Sequence, residues 1–199
     1  GNFKMGKSHS PILLIPISTK LHSVYPISQG HIETIHAYTN DQNLLDNMHS
    51  KNRRGRSAAI NMVITSTGAG KAVTKVIPAL KNKLTANAIR VPTPNGSLAI
   101  INLDLKNKIS SEKINELIRK AALDGALVNQ IKFSMNTELV SSDIVGNEGA
   151  AIFDSPATIV GQNEKSVILY VWYDNEFGYT KQVIRLAKYI SKVRRLHYY

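Results

Sequence analysis

"HIETIHAYTNDQN", residues 31–43, alternates as a strand: Ile32, Thr34 and His36 fall on one face, Glu33, Ile35 and Ala37 on the other. The polar run Thr39, Asn40, Asp41, Gln42 and Asn43 then breaks the pattern. A histidine at the mouth of a strand, beside a threonine, stands where a general base would sit. Downstream, "SAAINMVITS" (57–66) is an apolar run ending at a turn, and "STGAGKAVTKVIPALKNKL" (66–84) begins a helix. Ser66 or Thr67 can cap that helix, Val73, Val76, Ile77 and Leu80 form its stripe, and Pro78 ends it near Ile77.

The pattern continues to the far end of the chain. "NAIRVPTPNGSLAIINLDL" (87–105) gives two β-type runs around a Pro-Thr-Pro-Asn-Gly turn. A helix follows, capped by Ser110 or Ser111, with Glu112 in its first turn and Ile114, Leu117, Ile118 and Ala121 as its buried stripe, stopped at Asp124-Gly125. "ATIV", "GQNEK" and "SVILYVWY" (157–173) read as an antiparallel hairpin. Grouped rather than alternating elements predict an α+β domain with a mixed or antiparallel sheet. Gly96 in a strand and Gly70 in a helix are expected to cost roughly 1 kcal/mol each. Residues 1–30 show no sustained period, so the expected organisation is a divergent segment at 1–29, a domain at 30–190 and a basic tail at 191–199.

Composition narrows the chemistry. With 199 residues and 43% hydrophobic content the chain is long enough for one core. No apolar run approaches the roughly 20 residues of a membrane span, so a soluble intracellular protein is expected. Pro11 and Pro16 sit awkwardly in the basic-then-apolar front of the chain for a secretory signal. The absence of cysteine excludes disulfides, thiolate metal sites and a cysteine nucleophile within this sequence, and no metal site is expected. The net charge of +11 favours anionic partners, RNA among them, and is compatible with a mitochondrial complex. Two clusters carry the excess: "KNRRGR" (Lys51, Arg53, Arg54, Arg56), and the C-terminal stretch whose Lys188, Lys192, Arg194 and Arg195 oppose a stripe of Val183, Ile184, Ala187, Ile190 and Val193. These eight cations are the nucleic-acid-binding candidates.

Three clusters suit a phosphorylated ligand: Thr39 beyond the histidine, Ser66-Thr67-Gly68 at a helix start, and Arg90 between strand and turn. "STGAGK" lacks the spacing of a Walker loop, and no Gly-x-Gly-x-x-Gly follows a strand, so the chain carries no dinucleotide fold of its own.

Taken in order, "HAYT" (36–39), "STGAGKAVTKVIPALKNKLT" (66–85), "AIRVPTPN" (88–95) and "VWYDNEFGY" (171–179) resemble the catalytic domain of phosphorylating glyceraldehyde-3-phosphate dehydrogenase. The resemblance runs from about Gly30 to about Lys188. It implies a largely antiparallel mixed sheet with helices on one face, and a loop at about 39–60 that lies against a neighbouring subunit and its cofactor, hence a homo-oligomer. Residue by residue it implies that His36 is the general base, that Thr39 and Arg90 form one phosphate site and Thr67 and Gly68 the other, and that Asn175 holds the nicotinamide amide.

The departures from the family matter as much. Laid on the family's active-site helix, of which residues 1–29 are expected to hold a remnant, "SHSPI" (8–12) falls on the Ser-Cys-Thr-Thr-Asn motif and puts His9 in place of the nucleophile. An imidazole cannot form the thiohemiacetal from which hydride leaves, so His36 is expected to be a base with nothing to activate. The family's nucleotide-binding half is also not represented, so no cofactor is expected. The leading expectation is a non-catalytic structural or binding subunit of a larger protein assembly, with RNA as a candidate partner. The alternative is an NAD-dependent catalytic domain that borrows its cofactor domain and nucleophile from another chain.

Overall fold

The computed structural model describes residues 10–193. In chain order the elements are α1 (Ser10–Val24), β1 (Ile27–Ala37), β2 (Val63–Thr65), α2 (Ala69–Val76), β3 (Leu84–Val91), β4 (Ser97–Leu105), α3 (Ser111–Leu123), β5 (Ile131–Ser134), β6 (Ala151–Asp154), β7 (Ile159–Val160), β8 (Ser166–Tyr173) and α4 (Phe177–Ile190). All strands join one sheet in the order β2-β3-β1-β4-β8-β6-β5, with β7 added beside β8. Two pairings, β1 with β3 and β5 with β6, are parallel, and the rest are antiparallel.

Period-2 patterning decides which sheet face is covered. Alternate residues of β4 (Ser97, Ala99, Ile101, Leu103, Leu105) and of β8 (Val167, Leu169, Val171, Tyr173) are buried, and on β1 Ile32, Thr34 and His36 share that face. Against it pack Leu14, Ile17 and Leu21 of α1, Ala69 and Val73 of α2, and Ile114, Ile118 and Ala121 of α3. The α+β class, with these three helices on one face of a largely antiparallel sheet, is as the sequence implied.

Three local expectations change. The 10–24 stretch, aperiodic by its own pattern and expected to be helical only from the family resemblance, is a core helix: Leu14, Ile17 and Leu21 have helical spacing, hidden by apolar neighbours and by Pro16 inside the helix. The boundary at residue 29 therefore cuts through β1 and separates α1 from the core it completes. Gly96 lies in the turn before β4 rather than in a strand, at φ +84°, where glycine is the unstrained residue. The runs flanking that turn do not pair with each other, because β1 lies between β3 and β4.

The helix signals hold where they were strongest. The Ser110 hydroxyl accepts from the Lys113 amide at the start of α3, and Gly125 takes a positive φ just past its end. Helix α2 stops at Ile77, before Pro78. Helix α4 differs: only Gly178 and Gln182 of it are buried, and Val183, Ile184, Leu186, Ile190 and the following Val193 stay exposed. The expected apolar stripe is present but is not part of this core.

Candidate functional site

One register row builds the centre of the site. Arg90 of β3 stands opposite His36 of β1, His36 opposite Ser97 of β4, and Ser97 opposite Tyr173 of β8. Directly paired residues share a sheet face, so four side chains from four strands meet on the helix-covered side, at the C-terminal end of β1. His36 is 7% exposed and Tyr173 fully buried, their rings meeting edge to face with centroids 6.2 Å apart.

Hydrogen bonding orients the histidine. Its Nδ1 lies 2.7 Å from the carbonyl oxygen of Ala37, which can only accept, and beside the guanidinium of Arg90, which can only donate, so one ring nitrogen faces both kinds of partner. Arg90 Nη1 donates to the same carbonyl at 3.1 Å and lies against His36 Nδ1. Burial first, then the charge of Arg54, lowers the proton affinity of Arg90, with Tyr173 acting the other way. A guanidinium stays charged regardless.

Asn175 closes the cluster, its Nδ2 3.4 Å from His36 Nδ1. Its position is fixed by the preceding residue. Asp174, 1% exposed, accepts from the Glu176 and Phe177 amides at the start of α4 on one oxygen, and from Asn95 Nδ2 and the Gly146 amide on the other. Burial alone would raise the carboxyl's pKa, but the three backbone donors and the Asn95 amide outweigh it and hold the group below its ordinary value. Three buried polar atoms of the cluster, Arg90 Nε, Ser97 Oγ and Asn175 Oδ1, have no hydrogen-bond partner.

The other phosphate candidates form a second group. Thr67 Oγ1 accepts from the Ala69 amide at 3.3 Å and Gly68 occupies the N-cap of α2 without a side-chain cap bond. That helix start lies over Ala86, four residues back along β3 from Arg90, where a Cβ on Gly70 would come within 3.2 Å of Ala86 Cβ. Thr39 is half-buried just beyond β1, its carbonyl accepting from the Gln42 amide. Among the described residues no hydrogen bond joins Thr39, Thr67 or Gly68 to Arg90.

The basic clusters divide by geometry. Arg54, read as a nucleic-acid candidate, is 8% exposed, bonded through Nε to Thr65 Oγ1 and paired through Nη1 with Asp41. It is thereby removed from the outer surface and belongs to the surroundings of Arg90. The four-in-six density of cations hid this, because nothing in it distinguishes the one that turns inward. Lys51 and Arg53 are exposed, Arg56 is paired at the surface with Asp46, Lys188 lies on the exposed length of α4 and Lys192 just beyond its end. His9, Arg194 and Arg195 lie outside the described residues. Ser97, Tyr173 and Asp174 were not singled out by sequence reading, since strand register is invisible to it. Among the described residues there is no cluster of three or more metal-ligating side chains, and no helix is long and apolar enough to cross a membrane.

Comparison with known proteins completes the picture. Residues 13–175 match the family described as glyceraldehyde 3-phosphate dehydrogenase, C-terminal domain. A glyceraldehyde-3-phosphate dehydrogenase-like protein of Pseudomonas aeruginosa is 52% identical over 180 residues, which cover 90% of this chain and 39% of that protein. The glyceraldehyde-3-phosphate dehydrogenase of Borreliella burgdorferi is 44% identical over 180 residues, 90% of this chain and 53% of the relative. Glyceraldehyde-3-phosphate dehydrogenase 1 of Bacillus subtilis is 41% identical over 179 residues, 90% and 52% respectively. The chain thus spans about half the length, or less, of these relatives.

Proposed function

The chain belongs to the glyceraldehyde-3-phosphate dehydrogenase family by its C-terminal domain, and from that premise we propose that it acts as a non-catalytic, phosphate-binding subunit of a larger assembly. One observation carries this reading: His36, Arg90 and Asn175 still converge, in a sequence without the cysteine that the family's covalent chemistry uses. A base and an anion-binding guanidinium without a thiol can hold a phosphorylated ligand and leave it unchanged. NAD reduction with glyceraldehyde 3-phosphate and phosphate, measured for the chain and for His36→Ala, tests it. The absence of turnover alongside measurable phosphate binding is expected, and turnover that depends on His36 would overturn it.

The partners follow from the surface. Leu44, Leu45, Met48, Ile60 and Met62 are all more than 60% exposed on the 39–62 segment, which supports contact with a second subunit. Lys188 and Lys192, together with the net charge of +11, support RNA as a further partner, and a mitochondrial location belongs to the same reading. Filter binding at two salt concentrations checks the RNA part: salt-sensitive retention supports it, and absent or salt-independent retention removes it.

A second reading is favoured by Asn175 Oδ1, a buried acceptor without a partner beside His36. The amide N–H of a nicotinamide would satisfy it, so the residues present fit the nicotinamide end of NAD, the rest of which a nucleotide-binding domain of another chain would hold. When bound, NAD supplies a hydride acceptor; with the cofactor domain and nucleophile borrowed from another chain, Asn175 would orient the nicotinamide amide and His36 would take a proton. Quenching of Trp172 fluorescence by NAD in the presence of a family nucleotide-binding domain, lost in Asn175→Ala, is the expected sign, and quenching equal in the variant would exclude that role for Asn175.

A further inference from the structure

The topology gathers a group of cations at the end of the sheet remote from His36. Strands β3, β1, β4 and β8 are neighbours in that order, and Lys83 directly precedes β3, Lys106 directly follows β4 and Lys165 directly precedes β8. Their backbones are tied together across this edge. The Lys83 carbonyl accepts from the Gly30 amide of β1, the Lys106 amide donates to the carbonyl of Pro26 between α1 and β1, and the Lys165 carbonyl accepts from the Leu105 amide, each at 2.9 Å. With neighbouring strands roughly 4.8 Å apart, the row from Lys83 to Lys165 extends about 14 Å. Ile27 at this end of β1 and His36 at the other are separated by about 30 Å of extended chain.

His22 completes the row over β1. The Ile27 amide donates to its Nδ1 at 3.0 Å, so the neutral ring carries its proton on Nε2 and donates from there. Burial first, then the charges of Lys83 and Lys106, lower its proton affinity, which keeps the ring neutral at pH 7. All three lysines are exposed, and among the described residues none of them makes an ion pair. The carboxylates beside them in sequence are occupied: Asp104 accepts from Gln29 Nε2 and Ser166 Oγ, and Glu164 pairs with Lys108. Tyr25, half-buried between α1 and β1, adds an aromatic ring to the same edge.

We infer that this edge of the sheet is a docking surface for single-stranded RNA. The inference rests on the RNA partnership proposed above and gives it a place on the fold. A row of point charges set by successive strands meets a row of regularly spaced phosphates, of which about four fit at roughly 3.4 Å per nucleotide. A tyrosine ring accepts any base by stacking, so the contact is indifferent to sequence. Of residues 22–27, 81–84, 104–108 and 163–166, which form the edge, Val24 alone is a large exposed apolar side chain, too little for the apolar centre that a protein partner would bury.

Titration of the 199-residue chain with a fluorescent oligouridylate, read by anisotropy at several salt concentrations, tests this. Lys83→Gln/Lys106→Gln/Lys165→Gln should weaken binding roughly tenfold or more at low salt. The dependence of log K on log salt should become shallower by about two, since each phosphate contact on a single strand contributes about 0.7. Lys188→Gln/Lys192→Gln should lose less than the triple variant. All three substituted side chains are exposed, and an unchanged Tm shows that the fold is intact. Equal affinity or an equal salt slope in the triple variant, or a larger loss in Lys188→Gln/Lys192→Gln, would overturn this surface and leave the RNA partnership standing. Absence of salt-sensitive binding, or binding of polyglutamate in place of the oligonucleotide, would overturn both.

Discussion

Arg90 stands directly opposite His36 in the parallel pairing of β3 and β1, and both side chains reach the carbonyl of Ala37, Arg90 as its donor. One backbone oxygen thus anchors both the imidazole and the guanidinium. Arg90 keeps its Nε buried and without a partner, so the group has hydrogen-bonding capacity left for an anion.

Phosphate should therefore stabilise the chain through Arg90. At about ten times Kd, binding adds roughly 1.4 kcal/mol, visible as a rise in Tm. Because phosphate also stabilises proteins by exclusion from their surface, wild type and Arg90→Ala are compared at equal salt. The specific part should vanish in the variant, and an identical rise in both would mean that Arg90 binds no anion.

Asp174 should matter for stability in a pH-dependent way. Asp174→Ala strands three backbone donors and the Asn95 amide, a loss of about 2–3 kcal/mol read from urea midpoints at neutral pH. The folded pKa is depressed, so the stabilisation is complete above the unfolded value of about 3.9 and is lost as pH falls through the folded value. The gap between wild type and Asp174→Asn should shrink in that acid window. A gap constant with pH would show that the carboxylate charge contributes nothing.

Gly96→Ala should destabilise the turn that delivers Ser97. Its φ of +84° costs a residue with a side chain about 1–2 kcal/mol, and the new Cβ would lie 2.9 Å from Ser141 O. Chemical denaturation of wild type and variant would reveal it, and equal midpoints would show that the turn relaxes freely.

The two arginines of the 53–56 cluster that carry ion pairs should separate sharply. Arg54→Gln leaves Asp41 and Thr65 without their buried partner and should lower stability by about 1–3 kcal/mol while exposing the 39–60 loop to protease. Arg56→Gln removes only an exposed pair with Asp46 and should change neither measurement. Equal effects would contradict the burial assigned to Arg54.

Helix α1 should prove integral to the core. Ile17→Ala, at a fully buried position, should cost about 3 kcal/mol by thermal or urea unfolding. A cost below about 1 kcal/mol would mean that the helix is an appendage.

What the sequence determined was local. Alternation at 31–37 placed Ile32, Thr34 and His36 on the core face, Ser110 and Gly125 bounded α3, Pro78 bounded α2, and the "VWYDNEFGY" motif identified the family, because each signal is carried by residues within a few positions of one another. Tertiary structure decided the rest. It inserted β1 between β3 and β4, aligned Arg90, His36, Ser97 and Tyr173 in one row, drew α1 into the core despite Pro16, and turned Arg54 inward while Lys51 and Arg53 stayed out. In the row that builds the site, register joins residues more than fifty positions apart, and such pairings are chosen by the burial of whole faces, a quantity that no short stretch of chain contains.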